Sequence, residues 1–530
     1  MKTRLGFIGV LLLLCVFFAA RADVPIDEAH FPDSAFREVI RVCFDSDGDN
    51  LLSEDEIADA TKLECPNEGL HDLRGIEYLR FLQVCSLSNQ PYTDNRNIIQ
   101  VLDVSRNSEL QMLDCDDIGL RTLTIGNLPQ LTRLSCCTNQ LTSLETNGAP
   151  ALTKLFCHTN QLERLDLSAN PELITLDCSR NYISSLILNN ASGLILLQCG
   201  DNRLSELDIS QCVSLKRLDC RYNRLSQLFA DHNAALTELN CSNNNLTVLD
   251  VSRCGILEKL SCRSNYLRDL DVSGNADLQL LLCSDNEILK LDLSVNSALI
   301  TVDCSRNQLT ELVLGNNPGL EKLRCGFNRL TSLNIRQNIN LLELQCQDNL
   351  LSELDISSNP RLEICICYRN RLKTLDIRNN SALRTLEIYG NRLKALDVGN
   401  WTAMISRNTP KRETIQSGYD VIRLDGFFSG LLIDSFVTLT RGNGRAFSNT
   451  PSVANPCWVD VSVPGGGGTA SASVGIGVKG QAVTLIAEHD PGYRFVEWQV
   501  ESGDVQIQDN AFIIGKEDVS IIAVFSSVDP

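Results

Sequence analysis

Between Leu63 and Asn400 the apolar positions repeat every 21 residues, and one turn of the pattern, Leu152 to Leu173, shows its logic. Leu155 and Cys157 alternate with Lys154, Phe156 and His158, the period of a short strand that buries one face. Leu165 and Leu167 repeat that alternation around Asp166 half a turn later. The cysteine place is held by Cys115, Cys136, Cys157, Cys178, Cys199, Cys220, Cys241, Cys262, Cys283, Cys304, Cys325, Cys346 and Cys367, and then by Ile388. Three residues after each stands an asparagine, from Asn139 to Asn370 and again at Asn391, while the first such place holds Ile118. A unit of this length cannot bury its apolar face alone. The pattern therefore predicts a solenoid that stacks cysteine on cysteine and asparagine on asparagine. At the bend, each asparagine amide has the donors and the acceptor to satisfy backbone groups that the turn leaves unpaired.

The first half of the unit, L-x-x-L-x-C-x-x-N-x-L, matches the leucine-rich-repeat signature. The second half, with Leu165-Asp166-Leu167-Ser168, has a strand period where most such repeats return by a helix. These nested halves in a 21-residue unit resemble the IRREKO-type repeat. That resemblance implies a mainly β leucine-rich-repeat solenoid with strands on both flanks.

Outside the array the chain changes character. Met1 to Ala22 reads as an export signal: Lys2 and Arg4, an apolar run from Leu5 to Phe18, then Ala20-Arg21-Ala22. The apolar run is too short to span a membrane, so the mature chain is expected to start near Asp23 with no transmembrane segment. Residues 23–62 form a small helical cap. Phe36, Val39, Ile40 and Cys43 share one helical face, and Asp45 to Glu56 reads as a twelve-residue EF-hand loop. The expected set for one structural calcium is Asp45, Asp47, Asp49, the Leu51 carbonyl, Ser53 through a water, and Glu56. Asn50 stands where glycine is usual and is expected at positive φ. Coils fill 63–400, with an insertion at Asn89 to Gln100. Residues 401–442 are expected to cap the array, with strands over 420–424 and 431–439, and 443–455 to be a linker.

Residues 456–530 have strand patterns at Trp458–Val463, Ala482–Glu488, Arg494–Val500, Val505–Gln508, Ala511–Ile514 and Val519–Phe525. Turns fall at Gly465–Gly468 and Asp490-Pro491-Gly492. The order of Gly480-Gln-Ala-Val-Thr-Leu, Gly492-Tyr-Arg-Phe-Val-Glu-Trp498 and Val519 to Phe525 resembles the divergent internalin-type B-repeat, a small β-rich module of bacterial surface proteins. Thr-Met-Pro, usual before its last strand, is replaced here by Ile513-Ile514-Gly515.

A net charge of −19 argues against nucleic acid or an anionic membrane as partner. Of the 22 cysteines most fall in one inward column, where they serve as small core residues rather than metal ligands or bridges. Export would endanger exposed thiols, so burial matters. Alternation points Cys137 outward and makes it the vulnerable one.

Catalytic patterns are missing. None of the five histidines pairs with a nucleophile motif, and no H-E-x-x-H, Walker or Gly-x-Ser-x-Gly sequence occurs. The outward residues beside the cysteine strand vary from coil to coil. They include a basic set, Arg217, Arg221, Lys259, Arg263, Lys322 and Arg324, and an apolar set, Leu280, Leu282, Ile364, Ile366 and Tyr368. The opposite flank carries aspartate at 166, 208, 250, 271, 292, 355, 376 and 397, expected to be a solvated stripe held by local Ser and Asn donors rather than a calcium column. Together these features resemble a secreted internalin-like protein of an anaerobic bacterium. The expectation is a monomeric, non-catalytic recognition or adhesion protein, extracellular or surface-associated. Its ligand is a protein of a host or bacterial surface, bound on the cysteine-strand flank. A glycan ligand and a passive stalk or envelope role are the alternatives.

Overall fold

The computed structural model describes residues 23–397, the backbone of four strands between 412 and 440, and most of 457–527. The export signal and the 443–455 linker lie outside the described residues. The chain falls into two compact units, 1–224 and 225–530, divided within the repeat array.

In the first unit, helix α1 (Ser34–Cys43) starts at Asp33, whose Oδ1 accepts the amides of Ala35 (2.8 Å) and Phe36 (3.0 Å). Such a cap satisfies donors that have no partner inside the helix. Phe36 and Ile40 are buried, but Cys43 is exposed, at variance with the four-residue face read from sequence. The last turn of α1 runs past the apolar contacts of the cap, and Val42 is 73% exposed there. Helix α2 (Glu54–Asp59) begins with a capping box between Ser53 and Glu56. Between the helices Leu51–Leu52 pairs antiparallel with Val24–Pro25.

Three-residue strands then stack in parallel register: Lys62–Glu64, Val84–Ser86, Met112–Asp114, Arg133–Ser135, Lys154–Phe156, Thr175–Asp177, Leu196–Gln198 and Arg217–Asp219. The central residue of each and the cysteine-place residue two positions on point inward and are buried. Full burial of one such leucine stabilises by roughly 1.5–3 kcal/mol, so stacking supplies what a lone coil lacks. The second coil has no asparagine in the usual place, and the insertion supplies one instead. Asn97 donates to the carbonyls of Cys65 (2.9 Å) and Leu87 (2.8 Å) and accepts from the amides of Glu68 (3.1 Å) and Leu70 (3.0 Å).

In the second unit the same ladder runs from Glu238–Asn240 to Thr385–Glu387. Ser429–Asp434 continues it, with Leu431 opposite Leu386, and Thr438–Thr440 pairs with Ala395–Asp397 on the other flank. The expected cap thus adds one more coil, to which Arg412–Thr414 and Tyr419–Asp425 attach by antiparallel pairing. The single strand expected at 431–439 is split in two.

The second flank is less regular than expected. Among the described residues strands occur there only in pairs: Val101–Asp103 with Thr122–Thr124, Arg164–Asp166 with Ser185–Ile187, Gln227–Phe229 with Val248–Asp250, Lys290–Asp292 with Glu311–Val313, and the terminal Ala395–Asp397 with Thr438–Thr440. The coils between them carry no strand on this side.

The C-terminal module has a four-stranded and a three-stranded sheet around Val459, Val483, Leu485, Phe512, Ile514, Val519 and Ile521. Cys457–Ser462 and Val519–Ser527 pair in parallel, and Tyr493–Ser502 joins the latter antiparallel. Two details correct the sequence reading. Gly468 begins a strand, Gly468–Ala472, against Ala482–His489, because a Cβ there would meet Glu488 O at 2.4 Å and only glycine permits the approach. Val505–Gln508 forms no strand; Gln508 makes a single bridge to Ala511.

Candidate functional site

Three places in the fold carry the side chains that sequence marks for function. The first is the EF-hand-like loop. Gly48 (φ 75°) and Asn50 (φ 64°) take left-handed conformations, Asn50 as its place in the motif requires. Asp45 Oδ1 accepts the Gly48 amide (2.8 Å) and Oδ2 the Asn50 amide (3.1 Å), which wraps the loop around that carboxylate. One oxygen each from Asp45, Asp47 and Asp49 lies within 4.8 Å of the others. Glu56 is not one of the converging group. Its Oε1 accepts the Ser46 amide (2.6 Å) and its Oε2 the Ser53 amide (2.9 Å). Burial alone would raise the Glu56 carboxyl, but the donors on Ser53 and Ser46 outweigh it and hold it at about 2. The converging aspartates are hard oxygen donors of the kind calcium takes, and Glu56 stands ionised beside them.

The second place is the cysteine-strand flank. The column cysteines are buried, and desolvation pushes their thiols up, to about 12 for Cys262 and Cys325. Such thiols are protonated at neutral pH and poorly nucleophilic. Cys137 is buried as well, 4% exposed, contrary to its alternation. Asp116 closes over it, accepting the Cys137 amide (2.5 Å) and the Ser135 hydroxyl (2.8 Å). Among the described cysteines it is Cys43 that is exposed.

The basic set on this flank is not a free patch. In the first unit Arg217 is exposed, and Arg221 lies 3.4 Å from Asp219 at a polar cavity of about 210 Å³ shared with His158, Arg180 and Asp201. Burial raises the Asp219 carboxyl against the pull of Arg221. In the second unit Lys259 pairs with Glu238 (2.7 Å), Arg263 with the buried Asp303 (2.8 Å), and Arg324 with the buried Glu343 (2.9 Å). Lys322 is exposed. Leu280, Leu282, Ile364, Ile366 and Tyr368 are half-buried. The coils of Thr301, Lys322 and Glu343 separate the leucines from the isoleucines, so the fold keeps the apolar set in two groups. Tyr368 stacks on Tyr389, ring centroids 4.6 Å apart and planes 11° apart.

One column escaped the sequence reading. The residue two after each cysteine is left-handed in coil after coil, among them Tyr222 (φ 52°), Arg306 (φ 53°), Phe327 (φ 58°) and Arg369 (φ 49°). In the second unit each amide there reaches the next coil, as Phe327 N does to Gln347 O (2.8 Å). Stacking thus imposes a conformation that costs a side chain roughly 1–2 kcal/mol. Arg306 lies over the Phe327 ring at 4.5 Å and Arg369 over Tyr368 at 6.0 Å.

The third place is the aspartate flank. Asp166, Asp208, Asp250, Asp271, Asp292 and Asp355 each accept the amide of the serine two residues on, at 2.8–3.0 Å. These hydrogen bonds fasten the turn after the strand. Asp355, with the Ser357 hydroxyl and amide and Arg336 as partners, is held at about 2.

Comparison with known proteins places these features in a familiar architecture. Residues 459–529 match the family model described as the divergent InlB B-repeat domain. The functional domain of InlJ from Listeria monocytogenes, a structure described as including a cysteine ladder, is 24% identical. It superposes with a TM-score of 0.58 over 95% of this chain and 98% of that one. YopM from Yersinia enterocolitica is 26% identical, with a TM-score of 0.52 over 68% of this chain and 82% of that one. The plant peptide hormone receptor RGFR1 in complex with RGF2 is 20% identical, with a TM-score of 0.53 over 67% of each chain. No curated protein sequence matches. What these likenesses establish is the fold: a leucine-rich-repeat solenoid followed by a small β-rich module. No described helix is long and apolar enough to cross a membrane.

Proposed function

We propose that the protein is a non-catalytic recognition protein, secreted or held at a bacterial surface, that binds a protein ligand through the cysteine-strand flank of its solenoid. The observation that carries this reading is the left-handed column of the second unit. Glycine or asparagine would fill such positions at least cost, yet Arg306 and Phe327 occupy two of them and Arg369, beside the stacked Tyr368 and Tyr389, a third. Arginine and aromatic side chains are the usual anchors of protein interfaces, and strained backbone that carries them points to use. That a leucine-rich-repeat receptor is solved with RGF2 bound adds support.

The test starts with a pull-down by the mature protein from host and envelope extracts. For a captured protein, replacing Leu282 and Ile366 by Asp and Tyr368 by Ala should weaken binding by roughly 2 kcal/mol or more. Arg324 is left alone because it balances the buried Glu343. Changing Asp250, Asp271 and Asp292 to Ser should do little. Binding abolished by the second set and kept by the first would place the interface on the wrong flank. The absence of any saturable ligand would favour a passive stalk.

A calcium role belongs to the same reading. Asp45, Asp47 and Asp49, completed by Glu56, the Leu51 carbonyl and Ser53, would hold one ion that steadies the N-terminal cap. Since Glu56 also caps α2, Asp47→Ser is the cleaner substitution. Calorimetry should show calcium binding lost in that variant; unchanged affinity would remove the assignment.

A further inference from the structure

Val101–Asp103 is paired on one side only. Thr122 N donates to Gln100 O (3.1 Å) and Val104 N to Thr124 O (2.9 Å), so the ladder to Thr122–Thr124 uses Gln100, Leu102 and Val104. In a parallel pair the alternate residues point their main-chain groups the other way. The amides and carbonyls of Val101 and Asp103 therefore face the preceding coil, and neither residue makes a main-chain hydrogen bond there.

The preceding coil does not answer them, and Asp33 holds the start of its turn. While its Oδ1 caps α1, its Oδ2 accepts the amides of His71 (2.8 Å) and Asp72 (3.1 Å). Further along the turn, side chains take Arg74 N (Asp72, 2.9 Å) and Gly75 N (Glu77, 2.8 Å). The first coil leaves a groove of about 780 Å³ between His71, Arg74 and Glu77 on one wall and Ile98, Val101 and Asp103 on the other. Ile98 is 53% and Val101 62% exposed, so aliphatic surface lies beside the open strand edge.

We propose that this groove is a docking site for an extended segment of a partner protein, which adds to the second flank as a strand beside Val101–Asp103. Main-chain groups at two alternate residues are matched by another extended main chain, the mode of β-augmentation. The side chains fix what that segment carries. Leu102 is buried while Val101 and Asp103 point outward, so an added strand sets an aliphatic residue beside Val101 and a basic one beside Asp103, two positions apart. Glu77 on the facing wall adds to the preference for a base, and Arg74 does not oppose it, being tied to Asp72 (2.6 Å). The occupant is thus an extended segment reading aliphatic, any residue, then Lys or Arg. This site lies on the flank opposite the interface proposed above, and it stands or falls without it.

The probe is a blocked, fluorescein-labelled seven-residue peptide that alternates threonine with valine and carries one lysine two places after a valine. Two analogues accompany it, one with glutamate for the lysine and one methylated on alternate main-chain amides. With the full mature protein the parent peptide should bind saturably, and both analogues at least tenfold more weakly. At saturation, hydrogen exchange at the Val101 and Asp103 amides should slow at least tenfold. Val101→Pro, which removes an amide that no other described group uses, should weaken the peptide at least tenfold. If that variant is perturbed, exchange in the unsubstituted protein decides. Equal binding of the methylated peptide, tighter binding of the glutamate analogue, no saturable binding, or unchanged exchange at the two amides would each overturn the proposal.

Discussion

Two columns of asparagine run through the second unit at the same 21-residue spacing, and they do different work. In the first, Asn286 Nδ2 donates to the carbonyls of Cys262 (3.0 Å) and Cys283 (3.2 Å), and its Oδ1 accepts the Leu267 amide (3.0 Å). Both ends of the amide are used, and each asparagine ties its own bend to the coil before it. In the second, Asn296 Nδ2 donates to the carbonyls of Val272 (2.9 Å) and Asn275 (2.9 Å), but its buried Oδ1 finds no partner. The same holds for Asn275, Asn317, Asn338, Asn359 and Asn380. Here only the donor matters. That difference explains what each column tolerates: Cys254 stands in the second column and turns its thiol to the carbonyls of Ala230 and Asn233, each at 3.6 Å. A weak donor suffices where nothing has to be accepted.

Substitutions can break this comparison. The largest effect is expected for Asn286→Ala, which strands the buried Leu267 amide and takes one of the asparagine donors from each of the Cys262 and Cys283 carbonyls. A loss of roughly 3 kcal/mol should appear as a lower urea midpoint. A loss as small as that from a surface change would mean the first column is not what ties the coils.

Asn296→Cys should cost below about 1 kcal/mol, since it repeats what Cys254 already does and removes an unsatisfied oxygen. If it matches Asn286→Ala, the two columns are equivalent and the contrast fails.

The smallest effect concerns the aspartates on the flank that the second column follows. Their carboxyls sit below the ordinary value because serine hydroxyls and amides favour the charged form. Folded pKa values depressed in this way give stability that is present above about 3.9, the unfolded value, and lost as pH falls toward about 2. Asp355→Ser should flatten the fall between pH 5 and pH 2 by a few tenths of a kcal/mol, because solvent screens so exposed a group. An unchanged acid limb in urea titrations would show that the turn bonds carry no stability.

The two columns also mark how far the chain could be read. The first was legible because asparagine follows nearly every cysteine at a fixed offset. The second repeats as regularly from Asn275 to Asn380, but Ala149, Ala191, Cys212 and Cys254 interrupt it earlier, and a donor-only place keeps no single residue type. The aspartate turns were legible, since aspartate followed two residues later by serine is a local motif. The basic set on the cysteine flank was legible as outward, but its ion pairs were not. Which carboxylate faces Arg263 depends on Asp303, 40 residues away, and no local pattern records that pairing.

What the sequence alone determined is whatever repeats: the stacked coils, the inward cysteines and the first asparagine column. These follow from periodicity, and period is a property of the chain. What only the tertiary structure decided is whatever depends on one coil's neighbour. Phe327 and Arg306 hold left-handed backbone against their own preference because the next coil accepts their amides. Cys137 is sheltered because Asp116 of the coil before it closes over an outward place. Val101 and Asp103 keep an open edge beside a coil whose His71 and Asp72 amides are held by Asp33, far back in the cap. In each case the deciding partner is a hydrogen-bonding group distant in sequence, and only folding brings it near.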